Sequence, residues 1–378
     1  MNPQARVISY SSACGTLTAA AAAGTYSDPA MRTLDNFPDI PPPPADSLGW
    51  RRAFDALAAR HGTALTLAGL VEAGLDRLPL PGSGNTLLRW QCLAEVAALD
   101  LSLVKLFEGH TDALAIQAEL GARPVPPGSR WGTWCAEPPQ ARLRFERSDG
   151  DALRLHGVKA WCSGAAVVTH AVVSGWNAAG EPCLATVALD APGVRISGDG
   201  WQAVGMAATA SVDVHFDGAP ARSLGAPGDY VARPGFWHGG AGIAACWWGG
   251  AAGLARLAYA NAGAQPDGHR CAHLGAIDVA LSAGAALLRE AAAWIDAHPR
   301  DDAHVLALRA RLAVEHAAET VVRHAGRALG AAPLCRDARF ARAMADLPVF
   351  LRQSHAERDL ASLGGRVLQD KELSACRL

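Results

Sequence analysis

The chain has 378 residues, half of them hydrophobic and 19% charged, with a formal net charge of −2. Its length allows two or three domains sharing a sizeable core. The near-neutral balance excludes a general attraction to nucleic acid or to an anionic membrane surface. Nine cysteines (Cys14, Cys92, Cys135, Cys162, Cys183, Cys246, Cys271, Cys335 and Cys376) show no CxxC pair and no zinc-ligand spacing. That pattern predicts reduced, buried thiols in a cytoplasmic protein and no metal centre.

Residues 1–47 read as a flexible Ala/Pro-rich arm. SSACGTLTAAAAAGTYSD is rich in Ala, Ser and Thr, and PDIPPPPAD at 38–46 is an extended proline segment. The stretch lacks the basic and continuous apolar regions of a secretory signal, and Met31 offers a second start. Residues 48–130 form an N-terminal helical domain. WRRAFDALAARHG places Trp50, Phe54 and Leu57 on one face, and TLLRWQCLAEVAALDLSLVKLFEGH and TDALAIQAELG repeat the helical period. Gly121, Pro124, Pro126 and Pro127 end it.

Residues 131–232 change to period two and form a β-barrel or sandwich. ARLRFERSDGDALRLHG alternates Leu143/Phe145 and Leu153/Leu155 about a Ser-Asp-Gly turn, which predicts a hairpin. VVTHAVVSG, CLATVALD and SVDVHFDG follow as strands. Residues 233–378 are helical again, with four Ala-rich segments suited to a bundle. GIAACWWGGAAGLARLAYA is interrupted by Arg256 and reads as a buried helix; no run approaches the roughly 20 apolar residues a membrane helix needs.

This α+β order, together with GTWCAEP (132–138), LHGVKAWCSGA (155–165), WQAVGMAATAS (201–211) and RDARFARAMADLPVFLRQ (336–353), resembles the acyl-CoA dehydrogenase superfamily. The resemblance spans about residues 48–365. It implies FAD between the β domain and the bundle, an acyl thioester substrate on CoA or a carrier protein, an electron-transfer partner or oxygen as acceptor, and a homodimer or homotetramer built through the bundle. By the same resemblance Thr133, Trp134, Cys135 and Ala136 lie along the flavin pyrimidine, although relatives commonly carry a hydroxyl where Ala136 stands. Trp161 packs on the ring, and Ser163 donates near N5, where a donor stabilises charge developing at hydride transfer. Thr209 and Ser211 are the polar substrate-side members of GMAATAS, in which Ala207 replaces an Arg. Arg270 is the candidate for the pyrophosphate, and Gln353 for the flavin or its ribityl chain.

Desaturation of a thioester needs a positioned base in a dry site. The two positions where such dehydrogenases place their Glu fall at about Ser354 and Ile243, neither acidic, which leaves His355 and Glu357 as local candidates. Glu357 is equally an exposed member of a charged helix end in HAERD. The turn that usually follows the Glu-Pro dipeptide is absent from EPPQARLRF. Thioester desaturation is the first expectation; an oxygen-using flavoenzyme of the same fold, or a scaffold that has lost catalysis, are the alternatives. His110, read as lying near a helix start, is expected to flank or cap that helix rather than line a cavity.

Overall fold

A computed structural model describes residues 47–370, Arg123 excepted. The N-terminal arm, the second start at Met31, Cys14 and Cys376 lie outside the described residues. Helices α1 (Ser47–His61), α2 (Leu67–Glu72), α3 (Thr86–Leu99) and α4 (Leu101–Glu119) come first. The sequence period suggests one helix over 86–110 and a second beyond it; the break falls instead at Asp100. Its extended backbone leaves the helix, and its carboxylate accepts from the Leu103 amide, capping α4. His110 therefore sits in the middle of α4, not near its start. Gly121, in the left-handed region, follows the end of α4.

Seven strands form the sheet: β1 (Trp131–Trp134), β2 (Leu143–Arg147), β3 (Ala152–Cys162), β4 (His170–Trp176), β5 (Pro182–Ala188), β6 (Val194–Ile196) and β7 (Val212–Leu224). The pairings β4–β2–β3–β7–β5 return to β4, so five strands close a ring, with β1 parallel to β4 and β6 beside β7. Closure removes the open edges that a flat sheet would expose. The Ser-Asp-Gly hairpin is present, with Leu143 opposite Gly157 and Phe145 opposite Leu155, both side chains inward. The stretch VVTHAVVSG is half turn: Val167 and Val168 both donate to the Gly164 carbonyl, and β4 begins only at His170.

The chain returns to helix in α5 (Asp229–Ala232), α6 (Gly235–Ala260), α7 (Gly268–Ala297), α8 (His304–Leu329), α9 (Ala331–Arg336), α10 (Ala338–Leu351) and α11 (Glu357–Gln369). Helix α6 is the buried central helix its composition implies. It lies against α3 with almost no gap: a Cβ on Gly249 would stand 2.3 Å from the Ala94 carbonyl oxygen, and one on Gly253 2.6 Å from that of Ala98. Only glycine admits such an approach. Helix α7 departs from expectation, being long and apolar enough by composition to cross a bilayer, with 17% of its most apolar window buried. The described cysteines are free thiols; Cys92, Cys162 and Cys246 are buried, but Cys271 and Cys335 are exposed, because their helices turn them outward.

Candidate functional site

Strand β3 loses register with β7 between Lys159 and Cys162, and the irregularity twists Trp161 into the left-handed region at φ 58°. That conformation is costly for a bulky residue and marks a backbone held by its surroundings. Trp161 nonetheless leaves 52% of its surface exposed. Two residues on, the Ser163 hydroxyl lies 2.8 Å from that of Ser211, which lies 2.9 Å from that of Thr209, which donates to the Met206 carbonyl at 2.8 Å. Ser211 and Thr209 are buried and Ser163 is half-buried, so the row opens only at Ser163.

The loop carrying this row is itself pinned. Met206 and Ala210 both take positive φ, the Gly164 amide donates to the Thr209 carbonyl, and the Met206 amide donates to Asp346 of α10 at 2.6 Å. Burial pushes the Asp346 carboxyl above its ordinary value, while the bond from Met206 pulls it back. Strand β1 adds a second wall: Trp134 donates its indole hydrogen to the Ser163 carbonyl at 3.2 Å, and Thr133 donates to the Gly109 carbonyl of α4 at 2.7 Å. Thr133, Trp134, Trp161, Ser163, Thr209 and Ser211 thus meet at one corner of the barrel.

Cys135 and Ala136 follow β1, both half-buried. Burial pushes the Cys135 thiol up to about 11, against the pull of Lys159 and of Tyr230 on α5. Glu137 turns back into the barrel, a role that the Glu-Pro dipeptide alone does not reveal. It accepts from the wholly buried Lys159 at 2.5 Å, from the Ser174 hydroxyl, and from the Trp176 indole at 3.0 Å. Burial alone would raise the Glu137 carboxyl, but Lys159 and these hydrogen bonds hold it below its ordinary range.

Other expected residues stand elsewhere. Arg270 donates to the Ala328 carbonyl at 3.0 Å and the Ala262 carbonyl at 2.6 Å, tying the ends of α6 and α8. Gln353 has an exposed side chain and a backbone carbonyl taken by Arg311. Ser354 is buried; His355, with 58% of its side chain exposed, lies 3.4 Å from Asp359, and partial desolvation together with the nearby Arg358 lowers its imidazole below the ordinary value. Glu357 is exposed in the first turn of α11, so HAERD is a helix start, not a helix end. His110 is fully buried, accepting from the Trp131 amide and lying 3.1 Å from Asp76, which makes it a strut between α4, β1 and the loop after α2.

The structure adds a charged group on α4 that the sequence reading missed. Lys105, Glu108 and Asp112 recur at i, i+3 and i+7 on one helix face. Lys105 and Glu108 pair at 2.9 Å, and burial raises the Glu108 carboxyl despite that partner. Arg89 of α3 is buried, donates to the Pro79 carbonyl at 3.3 Å, and feels the charges of Asp112 and Glu108. A Cβ on Gly239 would stand 2.9 Å from an Asp112 oxygen, so α6 leaves room for that carboxylate. Three charges interrupting an otherwise apolar helical period were the available signal. The same helix touches the barrel corner, where Leu106 fills the space beside Gly164.

No protein-family model matches the sequence, and no curated protein matches it. Solved structures do. KijD3 in complex with FMN and dTDP-3-amino-2,3,6-trideoxy-4-keto-3-methyl-D-glucose is 20% identical, covers 90% of this chain and 97% of its own, and superposes with a TM-score of 0.72. Methanesulfinate monooxygenase MsuC from Pseudomonas fluorescens is 19% identical, with coverages of 86% and 97% and a TM-score of 0.72. TdsC from Paenibacillus sp. A11-2 with FMN and indole is 20% identical, with coverages of 85% and 96% and a TM-score of 0.72. These are proteins of the acyl-CoA dehydrogenase fold, and at this identity the likeness is one of fold: the chain is a divergent example of it.

Proposed function

We propose that the chain is a flavin-dependent oxygenase that acts on a small polar molecule. The observation that carries the reading is the substrate side of the barrel corner. Neither Ser354 nor Ile243 is acidic, and α4, the helix whose Leu106 meets the corner at Gly164, carries the half-buried Lys105, Glu108 and Asp112. The printed activities of two structural neighbours support the oxygenase part of the reading: a methanesulfinate monooxygenase and a dibenzothiophene monooxygenase, whose substrates differ widely in polarity.

A flavin ring fits the residues present. Trp161 is an exposed aromatic in a fixed conformation, the Ser163 hydroxyl stands beside it, and β1 supplies the second wall. On the phosphate side Arg270 is committed to two carbonyls. The single phosphate of FMN therefore asks less of this chain than FAD, and FMN is the flavin in the KijD3 and TdsC complexes. When bound and reduced, the flavin supplies two electrons to dioxygen, one oxygen atom passing to the substrate and the other leaving as water. Trp161 would pack on the ring and Ser163 would address its N5 edge, while on α4 burial raises the Glu108 carboxyl above its ordinary value against the pull of Lys105. A separate reductant or reductase provides the electrons. The free thiols suit a cytoplasmic setting, and the largely unburied apolar α7 is the surface through which copies associate.

The test is direct. Purified protein is expected to bind FMN and, given reduced FMN, oxygen and a panel of small amines and sulfur compounds, to yield a product gaining one oxygen atom. Anaerobic bleaching of the bound flavin by acyl thioesters would instead assign desaturation; a protein that takes up no flavin would leave only a scaffold.

A further inference from the structure

The hydroxyl row at the barrel corner has a fixed direction. Each hydroxyl carries one proton. The Met206 carbonyl can only accept, so Thr209 spends its proton there, at 2.8 Å. Ser211, 2.9 Å from Thr209, must then be the donor of that contact, and Ser163, 2.8 Å from Ser211, the donor of the next. Reversing the row would press the Thr209 and Met206 oxygens together at 2.8 Å with no hydrogen between them. Ser211 and Thr209 are buried, so water offers them no other partner. The backbone carbonyl of Ser163 is taken by Trp134. What Ser163 offers outward, beside Trp161, is therefore lone pairs only.

We infer that the Ser163–Ser211–Thr209 row makes the site selective for reduced over oxidised flavin, by presenting a hydrogen-bond acceptor where the reduced ring has a donor. This rests on the flavin reading above and reverses the donor role that the sequence resemblance implies for Ser163. The chemistry is general: N5 of an oxidised flavin is an acceptor and that of a reduced flavin carries a hydrogen. Against an outward-facing acceptor the first meets lone pairs and the second makes a bond. Thr209 and Ser211 act as positioning residues, through Ser163.

The experiment measures dissociation constants of oxidised and of dithionite-reduced FMN, anaerobically, for the wild-type chain and for T209V, T209S and S163A. The wild type is expected to hold reduced FMN about tenfold more tightly, the size of one net hydrogen bond gained against one left unmade. That is a rise of about 30 mV in the bound two-electron potential. Thr209→Val frees the Ser211 proton and lets Ser163 donate outward, so the ratio falls to unity or below; Thr209→Ser restores it. Ser163→Ala removes the preference while leaving oxidised FMN bound. Equal affinity for both forms in the wild type, or a ratio unmoved by T209V, overturns the inference while leaving flavin binding intact. Failure of both forms to bind overturns the flavin reading as well.

Discussion

Asp346 is the point at which the bundle holds the barrel corner in shape, and replacing it separates two readings of a buried carboxylate. Its oxygen accepts from the Met206 amide at 2.6 Å, and both residues are buried, Met206 with a left-handed backbone. Asp346→Ala leaves that amide with no acceptor, at a cost of about 1.5–3 kcal/mol for a bond to a charged group. Asp346→Asn keeps an acceptor oxygen and removes a charge that burial already disfavours, so it should cost under about 1 kcal/mol. Hydrogen exchange at the Met206 amide reads the difference locally. At tenfold per 1.4 kcal/mol, D346A should speed exchange by roughly 10- to 150-fold and D346N by less than about fivefold. FMN affinity should fall with the first and not the second, because Met206 positions Thr209 and Ser211. If the two variants exchange equally fast, the charge and not the hydrogen bond is what Asp346 contributes, and the argument fails.

Lys159→Met should destabilise the barrel by about 3 kcal/mol, near the low end for a broken buried pair because Glu137 keeps 26% of its side chain exposed; adding Glu137→Gln should recover part of it in denaturant titrations. Since Lys159 depresses the folded carboxyl of Glu137, the pair's contribution is full above the ordinary carboxylate value and is lost as pH falls through the folded one. The acid limb of stability should therefore flatten in the double variant. Gly249→Ala, whose Cβ would meet the Ala94 backbone, should cost about 1–3 kcal/mol or more, whereas Gly364→Ala, in open space on α11, should stabilise by about 0.5–1 kcal/mol. Val279→Asp, at a position 69% exposed on α7, should lower the mass observed in light scattering without disturbing the fold; an unchanged mass would remove α7 as the association surface.

The fold was legible where period and punctuation agree. The β2–β3 hairpin follows from alternation about Ser-Asp-Gly, and α6 from a long run too rich in glycine for anything but close packing. The break at Asp100 was missed because an acidic residue inside an apolar helical period scans as one exposed position, whereas its side chain starts a new helix by capping the Leu103 amide. Strand β1 was hidden for a different reason: four residues, Trp131–Trp134, are too short to show alternation and owe their strand character to pairing with β4, some forty residues away. Helix α7 passed as an ordinary bundle member because composition cannot say which apolar faces find a partner within the chain.

The two sides of the candidate site were unequally legible for a physical reason. The residues of the barrel corner fall in two short phrases, and so Trp161, Ser163, Thr209 and Ser211 could be named together by resemblance. The charged cluster between the helices draws on α3, α4 and α6, and its residues Arg89, Glu108, Asp112 and Gly239 lie up to 150 positions apart in the sequence. No local phrase can announce such a set. Its trace was the i, i+3, i+7 charge on α4, which in isolation is the pattern of a solvated helix face. Partial burial sets the same three residues apart from an ordinary solvated face, and it is burial, which no period encodes, that the sequence withheld.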